Sequence, residues 1–185
     1  MQIEKTFIND CFIVKPSVFG DSRGTFFESF NQKTFEEVTK LKINFVQDNQ
    51  SISKKGVLRG LHFQTGLYAQ AKLVRVIKGE VLDVAVDLRP NSKTYKKHFS
   101  IILNEENNFQ LFVPRGFAHG FITLSDSAIF AYKCDNFYHK ASESGVIYND
   151  PELNIDWKLN RSLISLSEKD QQLSQLKDVE HAREI

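Results

Sequence analysis

The sequence is poor in cysteine, in long apolar runs and in net charge of either sign, and each shortage removes a class of protein. The two cysteines, Cys11 and Cys134, lie far apart and form no C-x-x-C pair, so free thiols in a reducing compartment are expected instead of a disulfide framework. No stretch approaches the length needed to span a bilayer, and the opening MQIEKTFINDCF has no basic segment followed by an apolar one. A soluble, cytoplasmic protein with no membrane partner is the expectation. Lysine and arginine total 24 against 23 acids, a formal charge of +1, so no global field draws the chain to nucleic acid. Any anionic ligand must be held by a local cluster. Low-complexity tracts and solenoid-length repeats are missing too, so residues 1–185 read as one domain, large enough to bury a core without disulfides or metals.

What is present is β-forming. Sixteen phenylalanines, with short runs rich in valine and isoleucine broken by glycine or asparagine, predict many strands. The clearest run is KLVRVIKGEVLDVAVDLRP: Leu82, Val84, Val86 and Leu88 alternate with Asp83, Ala85 and Asp87, and Lys78-Gly79 supplies a reversal. This predicts a hairpin of half-buried strands. Further strands are predicted over 12–14, 24–30, 45–51, 57–63, 97–103, 108–113, 120–124, 128–134 and 145–148, a spacing that suits a sandwich or barrel. Helix is scarce. Residues 34–41 open with T-F-E-E, where Thr34 and Glu37 can form a capping box. The polar tail from about residue 167 carries a thin stripe, Leu173, Leu176 and Val179, that either docks peripherally on the barrel or frays.

Two segments put polar groups where burial is expected. GVLRGLHFQ (56–64) carries Arg59 and His62, and PRGFAHGF (114–121) carries His119 among glycines and aromatics. Read singly, each histidine fits a hydrogen-bonded core residue. Together, glycine-flanked histidines on strands suit the mouth of a barrel, where backbone approaches a ligand closely. Arg59 and His62 are an odd number of residues apart, so a regular strand turns them to opposite faces. Either the strand is bulged or bent near Gly60, or Arg59 serves a subunit interface.

The blocks FGDSRGTFFESF, VQDNQSISKKGVLRGLHFQ, QAKLVRVIKGEVLDVAVDLRPNSKTY, VPRGFAHGF, AYKCDNFY, NDPELNIDW and SEKD, in order from about Cys11 to Asp170, resemble the dTDP-4-dehydrorhamnose 3,5-epimerase family. The resemblance implies a mainly β, cupin-type jelly roll with a few short peripheral helices. It also implies a dTDP-4-keto-6-deoxy sugar substrate whose C3 and C5 are inverted. Both carbons flank the C4 carbonyl, so losing either proton gives an enolate with its charge on the C4 oxygen. Such chemistry needs a base, an acid on the other face and a cation at the oxygen. By resemblance these are His62 with Asp170 behind it, Tyr132, and Lys72. Read without it, Lys72 fits a solvated strand lysine, Tyr132 a barrel aromatic and Asp170 a helix-start acid.

The same resemblance implies diphosphate contacts from Arg59 and Arg23, assisted by Lys169, and further contacts from Glu28, Gln47, Asn49, His119 and Glu143. Phe19, Phe26 and Tyr138 are the candidates for stacking on the nucleoside; Phe19 and Phe26 fit the core equally well. The implied homodimer, its N-terminal strands crossing to the neighbour, lets Phe19 and Arg23 complete the other subunit's site. No metal and no cofactor is expected: metal-binding cupins use an H-x-H pair and a later glutamate, whereas His62 is followed by Phe63 and Gln64. Two alternatives remain open at this level, a single-site epimerase acting at C3 or C5 and a catalytically silent cupin that binds sugar nucleotides.

Overall fold

The computed structural model describes residues 1–181. In chain order its elements are β1 (Gln2–Lys5), β2 (Phe12–Lys15), β3 (Val18–Asp21), β4 (Gly24–Phe27), α1 (Gln32–Thr39), β5 (Gln47–Lys54), β6 (Leu58–Gln64), β7 (Lys72–Lys78) and β8 (Glu80–Asp87). There follow β9 (His98–Asn104), β10 (Gln110–Val113), β11 (Phe117–Thr123), β12 (Ser127–Cys134), β13 (Glu143–Gly145), α2 (Glu168–Gln171) and α3 (Leu176–His181). Two antiparallel sheets face each other, one of six strands ordered β1-β2-β10-β7-β12-β5 and one of five ordered β13-β6-β11-β8-β9. The strands of the ribbon β3–β4 pair with each other and with neither sheet. This is the expected jelly-roll sandwich with few helices, and among the described residues no helix is long and apolar enough to cross a membrane.

Apolar side chains fill three layers. Between the sheets lie Val74, Val76, Leu111 and Phe130 from one side and Val81, Ala85, Leu103, Phe117 and Phe121 from the other. Outside the five-stranded sheet, Leu58, Leu61, Leu82, Val84, Val86 and Ile122 are covered by Tyr148, Leu153, Trp157, Leu176 and Val179. The tail stripe therefore docks. Outside the six-stranded sheet, α1 sets Phe35 onto Phe12 and Phe112.

Several expectations need correction. The Lys78-Gly79 reversal does not make a hairpin: β7 pairs with β10 and β12, β8 with β9 and β11, so the chain crosses there from one sheet to the other. Nor is β8 half-buried. Its Leu82–Val86 face lies under the C-terminal cover, while Asp83 and Asp87, both 0% exposed, point with Ala85 toward the space between the sheets. Alternation here separates two buried faces, and the acids are tolerated because they are partnered. Asp87 accepts from the Arg89 fork, Ser92 and Thr94; Asp83 accepts from His119. The first helix begins earlier than predicted, because Asn31, not Thr34, caps it by accepting the Thr34 N–H at 3.1 Å. Strand limits also differ: 24–30 shortens to β4, 45–51 shifts to β5, and 145–148 moves to β13.

The parity problem in 56–64 is resolved by an irregular strand. His62 pairs with His119 but Arg59 with Phe121, so Gly60 and Leu61 together oppose Gly120. The extra residue restores Arg59 and His62 to one face, and both line one cavity. Two glycines let the backbones meet: a Cβ on Gly60, whose φ is +131°, would lie 2.5 Å from Gly120 Cα. Gly60→Ala should therefore cost roughly 2–4 kcal/mol and misalign Arg59 with His62. Thermal unfolding checks this, and an unchanged melting temperature would mean that the bulge does not depend on glycine.

Candidate active site

Between the sheets, at the end bounded by α2, lies a cavity of about 390 Å³. One wall is the five-stranded sheet, which supplies Arg59 and His62 from β6 and His119 from β11; the other supplies Asn49 and Ser51 from β5, Lys72 from β7 and Tyr132 from β12. Adjacent strands set these groups side by side: His62 opposes His119, and Tyr132 opposes Asn49. Ser167, Lys169 and Asp170 of the α2 segment complete the lining.

His62 Nε2 lies 2.6 Å from Asp170 Oδ1, a contact between residues 108 apart in sequence. Asp170 is itself fixed, its N–H donating to the Ser167 hydroxyl that caps α2. Burial opposes its charge, but the hydrogen bond and charge of His62, the Ser167 bond and Lys169 outweigh it, holding the carboxyl below the ordinary aspartate value. The other imidazole nitrogen, Nδ1, has no partner among the described residues.

Across the cavity, the Lys72 ammonium lies 5.8 Å from the centre of the Tyr132 ring. Burial lowers the lysine pKa, partly countered by Cys134, Asp83 and Glu143, yet no carboxylate among the described residues forms an ion pair with it. Burial, with Cys134 and Glu143, pushes the Tyr132 phenol up to about 12 against the pull of Arg59, so it stays protonated near neutrality. His119 directs Nε2 at both Asp83 oxygens, 3.0 and 3.1 Å away. Arg59 donates Nε to Ser53 Oγ at 3.1 Å and pairs with no carboxylate among the described residues.

Four sequence-predicted residues, Tyr138, Glu143, Lys169 and Gln47, stand at the rim. Tyr138 donates its hydroxyl to Glu143 Oε2 at 2.7 Å, Lys169 pairs with the same oxygen, and Gln47 donates to Asn49 Oδ1 while accepting the Tyr138 N–H. Four others do not reach the cavity of their own chain. Phe19, Arg23 and Phe26 belong to the β3–β4 ribbon and surround a separate hollow, with Arg23 forked onto Asp21; Glu28 accepts from Asn31. Sequence reasoning missed Asp83, Ser51 and Ser53. An acid alternating with valines in β8 was the available signal for Asp83, whereas the serines carry none. The Ser51 hydroxyl is buried without a partner among the described residues. No group of three histidine, cysteine or acidic side chains among the described residues is arranged to hold a metal ion. Both cysteines are free and buried.

Comparison with known proteins adds an independent observation. Residues 5–178 match the family model described as dTDP-4-dehydrorhamnose 3,5-epimerase. The dTDP-4-dehydrorhamnose 3,5-epimerase of Escherichia coli K12 is 51% identical over 179 residues, covering 97% of this chain and 96% of that protein. The crystal structure of the enzyme of that name from Elizabethkingia anophelis superposes with a TM-score of 0.93 at 56% identity, covering 96% of this chain and 97% of that one. A dTDP-6-deoxy-D-glucose-3,5-epimerase from Legionella pneumophila, solved with dTDP-4-keto-L-rhamnose, gives 0.94 at 47% identity, with 98% and 95% covered.

The lowered Asp170 pKa has a sign that can be tested. A carboxyl whose folded pKa lies below its unfolded one contributes stability in full above the unfolded value and loses it as pH falls through the folded one. Asp170→Asn should thus be less stable near neutrality and show a shallower loss below about pH 4. Urea melts at a series of pH values read this directly, and parallel acid limbs in the two proteins would show that Asp170 carries no linked charge.

Proposed function

Since the chain belongs to the dTDP-4-dehydrorhamnose 3,5-epimerase family, we propose that His62, Lys72, Tyr132 and Asp170 invert C3 and C5 of dTDP-4-keto-6-deoxy-D-glucose, giving dTDP-4-keto-L-rhamnose. The observation that carries the assignment of roles is the opposition of His62 and Tyr132 on two facing sheets. A sugar ring between them meets the imidazole on one face and the phenol on the other. His62 takes the proton next to the C4 carbonyl, and the electron pair moves onto the carbonyl oxygen. Lys72, paired with no carboxylate among the described residues, stabilises that oxygen. Tyr132, kept protonated by its raised pKa, returns a proton to the carbon from the opposite face. Solvent then resets both groups, and the cycle repeats at the second carbon. Protons leave and return without net electron transfer, so the inversion needs no redox cofactor. A placed acid or base contributes on the order of 10²–10⁴ in rate, and a preorganised charge at a developing oxyanion is often the larger part.

Arg59, Lys169 and His119 then serve the anionic and sugar portions of the substrate, with Gln47, Asn49, Glu143 and Tyr138 around the nucleoside. Phe19, Arg23, Phe26 and Glu28 act from a neighbouring subunit of a cytoplasmic homodimer. Two features favour this. Phe19 and Phe26 are 65% and 72% exposed on a ribbon whose strands pair with neither sheet. The outer face of the six-stranded sheet also carries exposed Ile52 and Ile77, with Arg75 beside a hollow of about 370 Å³, its guanidinium 6.0 Å from the centre of the Phe27 ring.

The direct test is proton NMR of the keto sugar nucleotide in D₂O. Loss of both the C3 and C5 proton signals is expected with the native protein and none with His62→Ala, a fall of at least about 10³-fold. Exchange at one carbon alone would reduce the activity to single-site epimerisation, and binding without exchange would favour the silent cupin. Shared sites predict complementation: Arg23→Ala and His62→Ala chains, each deficient alone, should regain activity when unfolded and refolded together. No recovery in verified mixed dimers would mean that Arg23 serves its own chain or none.

A further inference from the structure

The α2 segment carries two consecutive residues with different tasks: Asp170 holds His62, and Lys169 lines the cavity near Arg59. The two cations differ in what holds them. Among the described residues, Arg59 is tied only to a neutral serine oxygen, whereas Lys169 Nζ is bound to Glu143 Oε2 at 2.5 Å. Glu143 lies on β13, beside β6, and the same oxygen accepts the Tyr138 hydroxyl. One carboxylate oxygen thus joins three separate segments at the mouth: the loop after β12, strand β13 and α2. The Glu143 side chain is 17% exposed and the lysine 56%, so the ammonium can turn toward an incoming anion while the carboxylate stays in place.

We propose that Glu143 acts as a stand-in for the substrate's diphosphate, holding Lys169, and with it α2 and Asp170, in position until the diphosphate takes the lysine over. The proposal rests on the functional reading above and adds an exchange of ion-pair partners to it. Before substrate arrives, Glu143 supplies the negative charge that keeps this short helix seated against β6, so the His62–Asp170 pair is already formed. On binding, the diphosphate competes with Glu143 for Lys169. Glu143 therefore lowers affinity for the anion in return for a preformed dyad. Ligands with less negative charge displace it poorly, which makes Glu143 a specificity-determining residue as well as a rim contact.

The test is a double-mutant cycle on the full-length protein, with Glu143→Gln, Lys169→Met and the double variant titrated calorimetrically with thymidine diphosphate. Glu143→Gln should bind roughly fivefold more tightly than the native protein, the scale of a partly exposed ion pair, and the gain should shrink at least about threefold in the Lys169→Met background. An equal gain in both backgrounds would reduce Glu143 to general repulsion and overturn the exchange; so would unchanged or weaker binding in Glu143→Gln. Hydrogen exchange over residues 167–171 gives a second readout. Protection there should fall in ligand-free Glu143→Gln and return with thymidine diphosphate, and undiminished protection would overturn the holding role. If the native protein binds no thymidine diphosphate, the functional reading itself fails and the proposal falls with it.

Discussion

The 2.6 Å contact between His62 and Asp170 joins the middle of a sheet to a segment more than a hundred residues later, and much of the C-terminal third of the chain is arranged to permit it. A four-residue helix cannot hold itself in place. It is anchored from both sides. Before it, Ser165 pairs with Val57, and the Trp157 indole donates to the Tyr148 carbonyl inside the outer apolar layer. After it, Ser174 bridges to Val146, and the buried Asp150 accepts the Leu176 N–H with one oxygen and the Glu152 and Leu153 N–H groups with the other. Gly145 allows this closeness, since a Cβ there would come within 2.8 Å of Leu173. Packing on the outside of the sheet thus sets the geometry of a hydrogen bond at the cavity.

The opposite wall obeys a different constraint: its cation must remain unneutralised. Lys72 stands opposite Cys134 in the β7–β12 register, and a thiolate there would pair with it. Burial pushes that thiol up to about 11, aided by Asp135 and Asp48 and opposed by Lys72 and Asn49, so it remains neutral at physiological pH. Burial simultaneously lowers the Lys72 pKa, which disfavours the ammonium and makes its charge responsive to a developing oxyanion. Charge at this wall is sensed over distance from Asp83 and Glu143 and is not used up by contact.

How much of this could be read in the sequence varied with the range of the interaction. Strands were legible because valine, isoleucine and phenylalanine runs are local; which sheet each joined was not, because a glycine reversal between sheets has the same composition as a hairpin turn. The conflict between Arg59 and His62 was legible from parity alone, and it pointed to the irregularity at Gly60. Asp170 carried no local signal beyond a helix-start acid, since its partner lies far away; only the family motif singled it out. The junction of Glu143, Lys169 and Tyr138 was equally invisible, being made by three segments none of which signals the others.

Asp83 and Asp87 show why buried charge alone does not mark a site. They occupy the same face of β8, four residues apart, and both are 0% exposed. Asp87 is saturated: a two-pronged arginine, two hydroxyls and the Arg89 N–H occupy its oxygens, and Arg89 extends to Asp10 and the Asn9 carbonyl. Every donor is spent within the protein, so the group can only hold loops together. Asp83 meets a single imidazole, whose other nitrogen has no partner among the described residues and belongs to a residue lining the cavity. The carboxylate can therefore favour one tautomer of His119 while leaving a hydrogen-bonding position for a ligand. What distinguishes the two is the unspent valence at the end of the chain of partners, and in this fold such unspent groups, His62 Nδ1, the Lys72 ammonium, the Arg59 fork and the Ser51 hydroxyl, converge on one cavity.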